Sequence, residues 1–391
     1  MVKPFRFARV PLILFGNGGI KDLPVLIIKR YGQNVVLVTG KKSFTGSEYS
    51  ESLFSELQSH GINIHHYIVD REPTPEIIDE ASSRFRNMAP DLIVAIGGGS
   101  VIDAGKAISG MLTVTGSVVD YLEGVGSREH PGSKIPFIAV PTTSGTGSEA
   151  TKNAVILRTG KKGFKKSLRH DNFVPDIAVI DPLLTTHCPP DLTAASGMDC
   201  FTQLTEAYLS DNASTYTDSL SWEGLKAVKS SLLTCLEDGS DIEARADMSF
   251  AALTSGICLA NAGLGAVHGF ASSMGGMFDI PHGIICGNLM AAANTVTVKV
   301  LRNSEPYHKA LHKYARLGML FLDEEDRSDD FYIDGFLNYL NRITSESGIP
   351  GFKKFGVTRN DINEICRNTD IKNNPAKLDF QDLTEILQLC I

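Results

Sequence analysis

Leu92–Ile96, LIVAI, runs without a break into Gly97-Gly98-Gly99-Ser100 and then into the helical pattern VIDAGKAISGML. A short apolar run that stops at consecutive glycines and restarts with helical period is a buried strand delivering the chain to a helix N-terminus. The same alternation surrounds it. Asn34–Thr39, NVVLVT, reads as a strand ending at Gly40, and Ser47–His60 as a helix with Leu53, Phe54 and Leu57 on one face and Gly61 as its stop. Ile62–Val69 is a second strand, and Pro73 and Pro75 open a helix with Ile77, Ile78 and Ala81 turned inward. Phe137–Val140 and Ile177–Ile180 are further buried strands. Such alternation restricts this half to an α/β fold, a parallel sheet with right-handed crossovers.

Open α/β sheets bind ligands where the C-terminal ends of strands meet helix N-termini. Gly97, Gly98, Gly99 and Ser100 sit at such a point, where close backbone approach, free N–H groups and the helix dipole attract phosphate. The plainer alternative is a tight turn needing positive φ. Pro141–Ser148, PTTSGTGS, is a second hydroxyl- and glycine-rich loop after a strand, either a polar surface loop or a partner of the first. Two such loops on one sheet edge favour a dinucleotide over a lone phosphate. Neither GxGxxG nor a Walker lysine pattern is present. The strand at Asn34–Thr39 ends in Gly40-Lys41-Lys42-Ser43. A carboxylate there would bind a ribose 2′-hydroxyl and repel a 2′-phosphate. Gly40 offers none, and Lys41, Lys42 and Ser43 offer cations and a donor, which points to NADP(H) over NAD(H).

From Pro190 the pattern becomes helical. Asp191 or Thr193 is expected to cap a helix through Ser210, followed by helices over Thr215–Glu237, Ile242–Ala262, Ile284–Thr297, Tyr307–Phe321, Asp330–Gly348 and Leu378–Leu389. A chain of 391 residues exceeds what one core usually serves. The boundary is placed near Asp181–Pro182, giving an α/β unit over 1–182 and a helical unit over 183–391. A net charge of −8 with no long basic run excludes a phosphate-tracking nucleic-acid surface. The first residues lack the pattern of a signal peptide, and no stretch of 18 uninterrupted apolar residues marks a membrane span. Seven scattered cysteines without a CxxC read as reduced thiols of a cytoplasmic protein.

His268 and His282 stand fourteen positions apart in HGFASSMGGMFDIPHG, separated mainly by small residues. Neutral imidazole is the commonest protein ligand for transition metals, so the stretch suggests a metal held between helices. Asp199 and Gln203 in GMDCFTQ are four apart and share a helix face. One Asp and two His make a three-ligand set for a catalytic divalent cation with an open position.

GGGSVIDAGKAI at 97–108, PTTSGTGSEAT at 141–151, IAVIDP at 177–182, GMDCFTQLTEAYLS at 197–210 and HGFASSMGGMFDIPHG at 268–283 together resemble the iron-containing (group III) alcohol dehydrogenases. The resemblance runs from about residue 10 to the C-terminus. It implies a Rossmann-like dinucleotide domain, an all-helical metal domain of the dehydroquinate synthase-like kind, and a cleft between them. It also implies NADP- or NAD-dependent interconversion of an alcohol and its aldehyde or ketone, on one divalent iron or zinc ion acting as Lewis acid. Gly97, Gly98, Gly99 and Ser100 would hold the pyrophosphate. Asp103 would line the nicotinamide side, and Thr142, Thr143 and Ser148 would contact phosphate and ribose. Asp199, His268 and His282 match family metal ligands. The sequence departs from the pattern at Gln203, where the family has a fourth ligand His and where the amide oxygen is expected to bind the metal itself or to hold a metal-bound water, and at Ser272, where a second His often stands near the nicotinamide. Ser272 with water, or His187 or His170 by residue type alone, would then have to move the proton. Related enzymes on this scaffold act on polyols and sugar acids, and a homologue that has lost catalysis is the other alternative. Family members are commonly dimers or larger.

Overall fold

The structure, a computed structural model, describes every residue except Met1, Lys3, Lys161 and Lys162. Its first half is built on six parallel strands: β1 (Leu12–Phe15), β2 (Asn34–Thr39), β3 (Asn63–Ile68), β4 (Leu92–Gly97), β5 (Phe137–Pro141) and, after a two-stranded antiparallel hairpin of β6 (Asn153–Arg158) and β7 (Phe164–Arg169), β8 (Ile177–Ile180). The strand order is β1-β8-β5-β4-β2-β3. Helices α1 (Leu23–Arg30), α2 (Glu48–Ser59), α3 (Pro75–Arg86) and α4 (Gly99–Met111) flank the sheet. Two apolar cores result. Val36, Val38, Ile93 and Ala95 pack on α3 and α4 on one face, and Val35, Leu37, Val94 and Ile96 pack on α1 and α2 on the other. That two-sided burial is why β2 and β4 read as unbroken apolar runs.

The order of strands reverses between β2 and β4. Each side of this point sends its connections away from the other, so a crevice opens at their C-terminal ends. Gly40 ends one strand and Gly97–Gly99 the other, which places both glycine signals at the same crevice.

The second half is helical: α5 (Pro190–Leu209), α6 (Thr215–Glu237), α7 (Ile242–Ala262), α8 (Ala266–Met277), α9 (His282–Ser304), α10 (Lys309–Leu322), α11 (Asp329–Glu346), α12 (Ile362–Arg367) and α13 (Phe380–Cys390). α9 lies at its centre, against α5, α8, α11 and α13. By length and average composition α9 would pass as a membrane span, although Asn288, Asn294 and Lys299 interrupt its apolar runs, and most of it is buried in the bundle.

Several expected boundaries shift. Pro189, not Asp191 or Thr193, is the N-cap of α5, and Asp191 falls in its first turn. α9 starts at His282 itself and continues to Ser304, well past Thr297. β1 and the β6–β7 hairpin had no counterpart in the expected strands. β1 is an edge strand with Leu12, Leu14 and Phe15 exposed, and β7 is FKKSLR, so neither shows a buried apolar run.

A candidate metal centre beside a dinucleotide cleft

Helix α5 carries Asp199, Gln203 and Glu206 at helical spacing, and all three are buried. Glu206 holds the neighbouring helix in place. One of its carboxylate oxygens accepts from the Val267 N–H at 2.7 Å, and the other accepts from His268 Nδ1 at 2.7 Å. With Nδ1 committed, His268 turns Nε2 to Asp199 Oδ1, 3.3 Å away. A carboxylate behind a histidine in this way fixes its tautomer and orientation and makes it a better ligand.

His282 opens α9, and its Nε2 lies 3.7 Å from Asp199 Oδ1. The approach depends on Gly283, where any Cβ would sit 2.0 Å from the Ala195 carbonyl oxygen of α5. One turn further along α9, Cys286 Sγ lies 3.7 Å from His268 Nε2 and 3.8 Å from His282 Nε2. Asp199, His268, His282 and Cys286 thus each point one donor atom inward, all within 4.8 Å of one another. Three of the four are the residues expected from the sequence. Cys286 was not among them, although its position four after His282 on one helix was the signal available.

Burial alone would raise the Asp199 carboxyl, but His282 and His268 outweigh it and hold the group well below the usual carboxylate range. Burial lowers His282 to about 3, leaving a neutral imidazole with a free lone pair. It would lower His268 too, yet Cys286, Asp199 and Glu206 lift that ring well above its ordinary value. Burial pushes the Cys286 thiol up to about 12. The set demands positive charge, which a proton on His268 or a divalent cation supplies. His282 Nδ1 is buried without a hydrogen-bond partner. These residues fit a divalent metal ion.

His268, His282 and Gln203 line a cleft of about 130 Å³ together with Gly99, Ser100 and Asp103 from the sheet half. Gln203 Oε1 lies 3.3 Å from Ser255 Oγ, whose hydroxyl has the Ala252 carbonyl as its closer acceptor at 2.8 Å. A second groove shares Ser100 and Glu72 with the cleft and runs along Gly40, Lys41, Lys42, Asp70 and Arg71. Ser43 does not line it, although its Oγ lies close to Gly40.

The glycines at 97–99 are not there for positive φ, which none of them shows. They permit close packing: a Cβ on Gly97 would meet the Val101 side chain at 2.6 Å, and one on Gly99 would meet Thr146 Oγ1 at 2.6 Å. PTTSGTGS is not a surface loop either. Thr142, Ser144 and Ser148 are buried, and the loop docks on the helical half, with the Gly147 backbone against Gly256 of α7. Thr143 packs over Gly98, and Thr142 Oγ1 is buried without a partner. Ser148 and Asp103 are bound to each other, the hydroxyl donating to the carboxylate, whose second oxygen accepts from the Val155 N–H at 3.0 Å. Behind them Lys106 Nζ donates to the Ser148 and Asn153 carbonyls at 2.7 and 2.8 Å and to Thr151 Oγ1 at 3.1 Å. Asp103 and Ser148 both line the cleft, but their polar atoms are largely spent on holding α4 to this loop.

His170 and His187 do not line the cleft. His170 Nδ1 accepts from the Asn172 N–H in a turn, and His187 is exposed. Ser272 donates to the His268 carbonyl at 2.9 Å and is likewise not part of the lining. The charged pair that does line it is Lys165 of β7 and Glu72, 2.8 Å apart. Sequence reasoning missed Lys165 because the hairpin itself was missed, and Glu72 because it stands in the loop between β3 and α3, outside every motif.

A family model described as iron-containing alcohol dehydrogenase matches residues 11–182, and one described as the C-terminal part of the Fe-containing alcohol dehydrogenase family matches residues 193–390. The chain is 36% identical over 274 residues to a long-chain-alcohol dehydrogenase of Geobacillus thermodenitrificans, covering 70% of this chain and 68% of that one. It is 28% identical over 385 residues to an NAD-dependent methanol dehydrogenase of Bacillus methanolicus, covering 97% of each. Among solved structures, an alcohol dehydrogenase from Oenococcus oeni superposes with a TM-score of 0.87 at 27% identity, over 99% of this chain and all of that one.

Proposed function

The chain belongs to the iron-containing alcohol dehydrogenase family, whose members are NAD(P)-dependent oxidoreductases acting on alcohols, and we propose that it works as an NADPH-dependent reductase of small or medium aldehydes. The observation that carries this is the shared cleft: the histidines of the metal centre and the Gly99–Ser100 helix start line one cavity, so a cofactor entering at the sheet crevice meets a substrate held at the centre. When bound, the metal, iron by family and zinc as the alternative, supplies Lewis-acid polarisation of the substrate oxygen.

The chain's own groups do the rest. The N-terminus of α4 presents backbone N–H groups and the positive end of its dipole to the pyrophosphate. Lys41, Lys42 and Arg71 give the adjoining groove three cations, against Asp70 and a Glu72 already paired with Lys165. A 2′-phosphate is the group that such a groove favours. Glu206 keeps His268 aimed at the centre. With the Ser272 hydroxyl turned to a carbonyl, Lys165 Nζ, paired with Glu72, is a donor among the described residues that lines the cleft and would pass a proton through water to the reduced oxygen. The apolar lining from Pro73, Val155 and Leu259 excludes bulk water and suits an alkyl chain.

The test is a panel of aldehydes, polyols and sugar acids assayed with NADPH and with NADH after reconstitution with defined metals. Aldehyde reduction with a higher kcat/KM for NADPH is expected. Equal or better efficiency with NADH ends the cofactor assignment, and turnover confined to polyols or sugar acids ends the substrate assignment.

A further inference from the structure

We propose that Cys286 is the fourth protein ligand of the metal, as a thiolate, in a chain whose Gln203 replaces the histidine expected at that place. The inference rests on the metalloenzyme reading above and concerns how this chain completes the site.

Geometry carries the argument. A tetrahedral ion with bonds of about 2.0–2.1 Å to nitrogen or oxygen and about 2.3 Å to sulfur has N···S edges of about 3.5 Å and N···O edges of about 3.4 Å. The structure has N···S separations of 3.7 and 3.8 Å to Cys286 Sγ. Its N···O separations to Asp199 Oδ1 are 3.3 and 3.7 Å. Four edges between side chains from three helices thus lie close to those of a zinc-sized tetrahedron, and all four donor atoms lie within 4.8 Å of one another. His282 and Cys286 are one turn apart on α9, so the helix that delivers the imidazole delivers the sulfur with it. Of the seven cysteines, Cys286 alone belongs, among the described residues, to a cluster of metal-binding donors.

Coordination replaces the S–H proton, which leaves to bulk water. Two anionic and two neutral donors then balance a divalent charge, where one carboxylate and three imidazoles would leave it positive. A thiolate is also the softest donor available, and it moves the preference of the site from iron(II) toward zinc(II) or cobalt(II).

The experiment uses the full chain stripped of metal and titrated with cobalt(II). The expected result is one equivalent bound, with a near-ultraviolet thiolate-to-cobalt charge-transfer band that Cys286→Ser abolishes while visible ligand-field bands remain. Chelator competition should show Cys286→Ala to hold zinc about tenfold more weakly or worse. X-ray absorption on the zinc-loaded unmodified chain should show one sulfur near 2.3 Å, a reading that does not depend on a variant folding. Stoichiometric metal with only nitrogen and oxygen neighbours overturns the inference and leaves the proposed function standing. A chain that takes up no divalent metal overturns both.

Discussion

Glu206 on α5 accepts a hydrogen bond from His268 Nδ1 at 2.7 Å, so the residue that aims the histidine sits on the helix that supplies Asp199. Position and orientation of two donors at the centre therefore come from one rigid element.

Replacing that carboxylate by an amide tests its role. Glu206→Gln keeps an acceptor but removes the charge that fixes the His268 tautomer. Metal affinity should fall by about 10- to 100-fold, read by chelator competition, and stability should fall by about 1–3 kcal/mol, because one of the two buried donors then faces an amide NH2. An unaltered affinity would mean that the pair only packs.

Lys106 is the next. It is almost fully buried and donates to three groups of the Ser148–Asn153 segment, with Asp103 3.7 Å away. Lys106→Met removes the cation beside a buried carboxylate and leaves three acceptors bare. Destabilisation of roughly 3–5 kcal/mol is expected from denaturant titration. A loss below about 1 kcal/mol would show that water replaces the ammonium without cost.

The same neighbourhood predicts a pH dependence. Burial raises Glu149 to about 7 from an ordinary 4.5. Between those values the folded chain keeps a proton that the unfolded chain has lost, so this contribution is full below pH 4.5 and disappears as pH rises through 7. Lys106 is depressed by burial to about 8 from 10.5, so the unfolded chain binds more protons over that higher window and stability climbs there. Glu149→Gln should flatten the lower slope and widen the upper one, because the Glu149 charge is one of those holding the Lys106 ammonium up. A stability profile in which the variant parallels the unmodified chain from pH 4.5 to 7 would refute the assignment.

For cofactor choice the informative change is Gly40→Asp. A Cβ there would stand 3.1 Å from Ser43 Oγ, a short side chain that can rotate aside. The new carboxylate faces the groove of Lys41 and Lys42 and repels a 2′-phosphate. The ratio of kcat/KM for NADPH over NADH should fall by about tenfold or more, equivalent to about 1.4 kcal/mol. No change in that ratio would move the ribose site elsewhere.

How far the sequence led differs between regions for physical reasons. β2 and β4 are buried on both faces, so their apolar runs end within a residue of the observed strands. Asp199, His268 and His282 were recognisable because residue type and spacing agree with ligand chemistry, and the structure brings them together. Cys286 was not, because a cysteine in IICGNLM looks like one more small core residue. Lys165 was hidden by its strand, whose charges follow contacts with Glu72 and α8 that lie far away in sequence. Thr142, Thr143 and Ser148 were read as ligand contacts, and Ser148 turns out to spend its hydroxyl on Asp103.

The contact of Gly147 with Gly256 has a consequence for how the two walls of the cleft move. At that point main chain meets main chain, and a Cβ on Gly256 would lie 2.2 Å from the Gly147 carbonyl oxygen. The walls meet there at a gauge set by atomic radii, with no side chain to act as a compressible spacer. The reach from nicotinamide to metal is in this sense machined into the backbone, and traffic of substrate and cofactor must be accommodated by side chains and by the hairpin at the rim. Even a methyl group at Gly256 would act as a shim, altering hydride reach at a distance from every reacting atom.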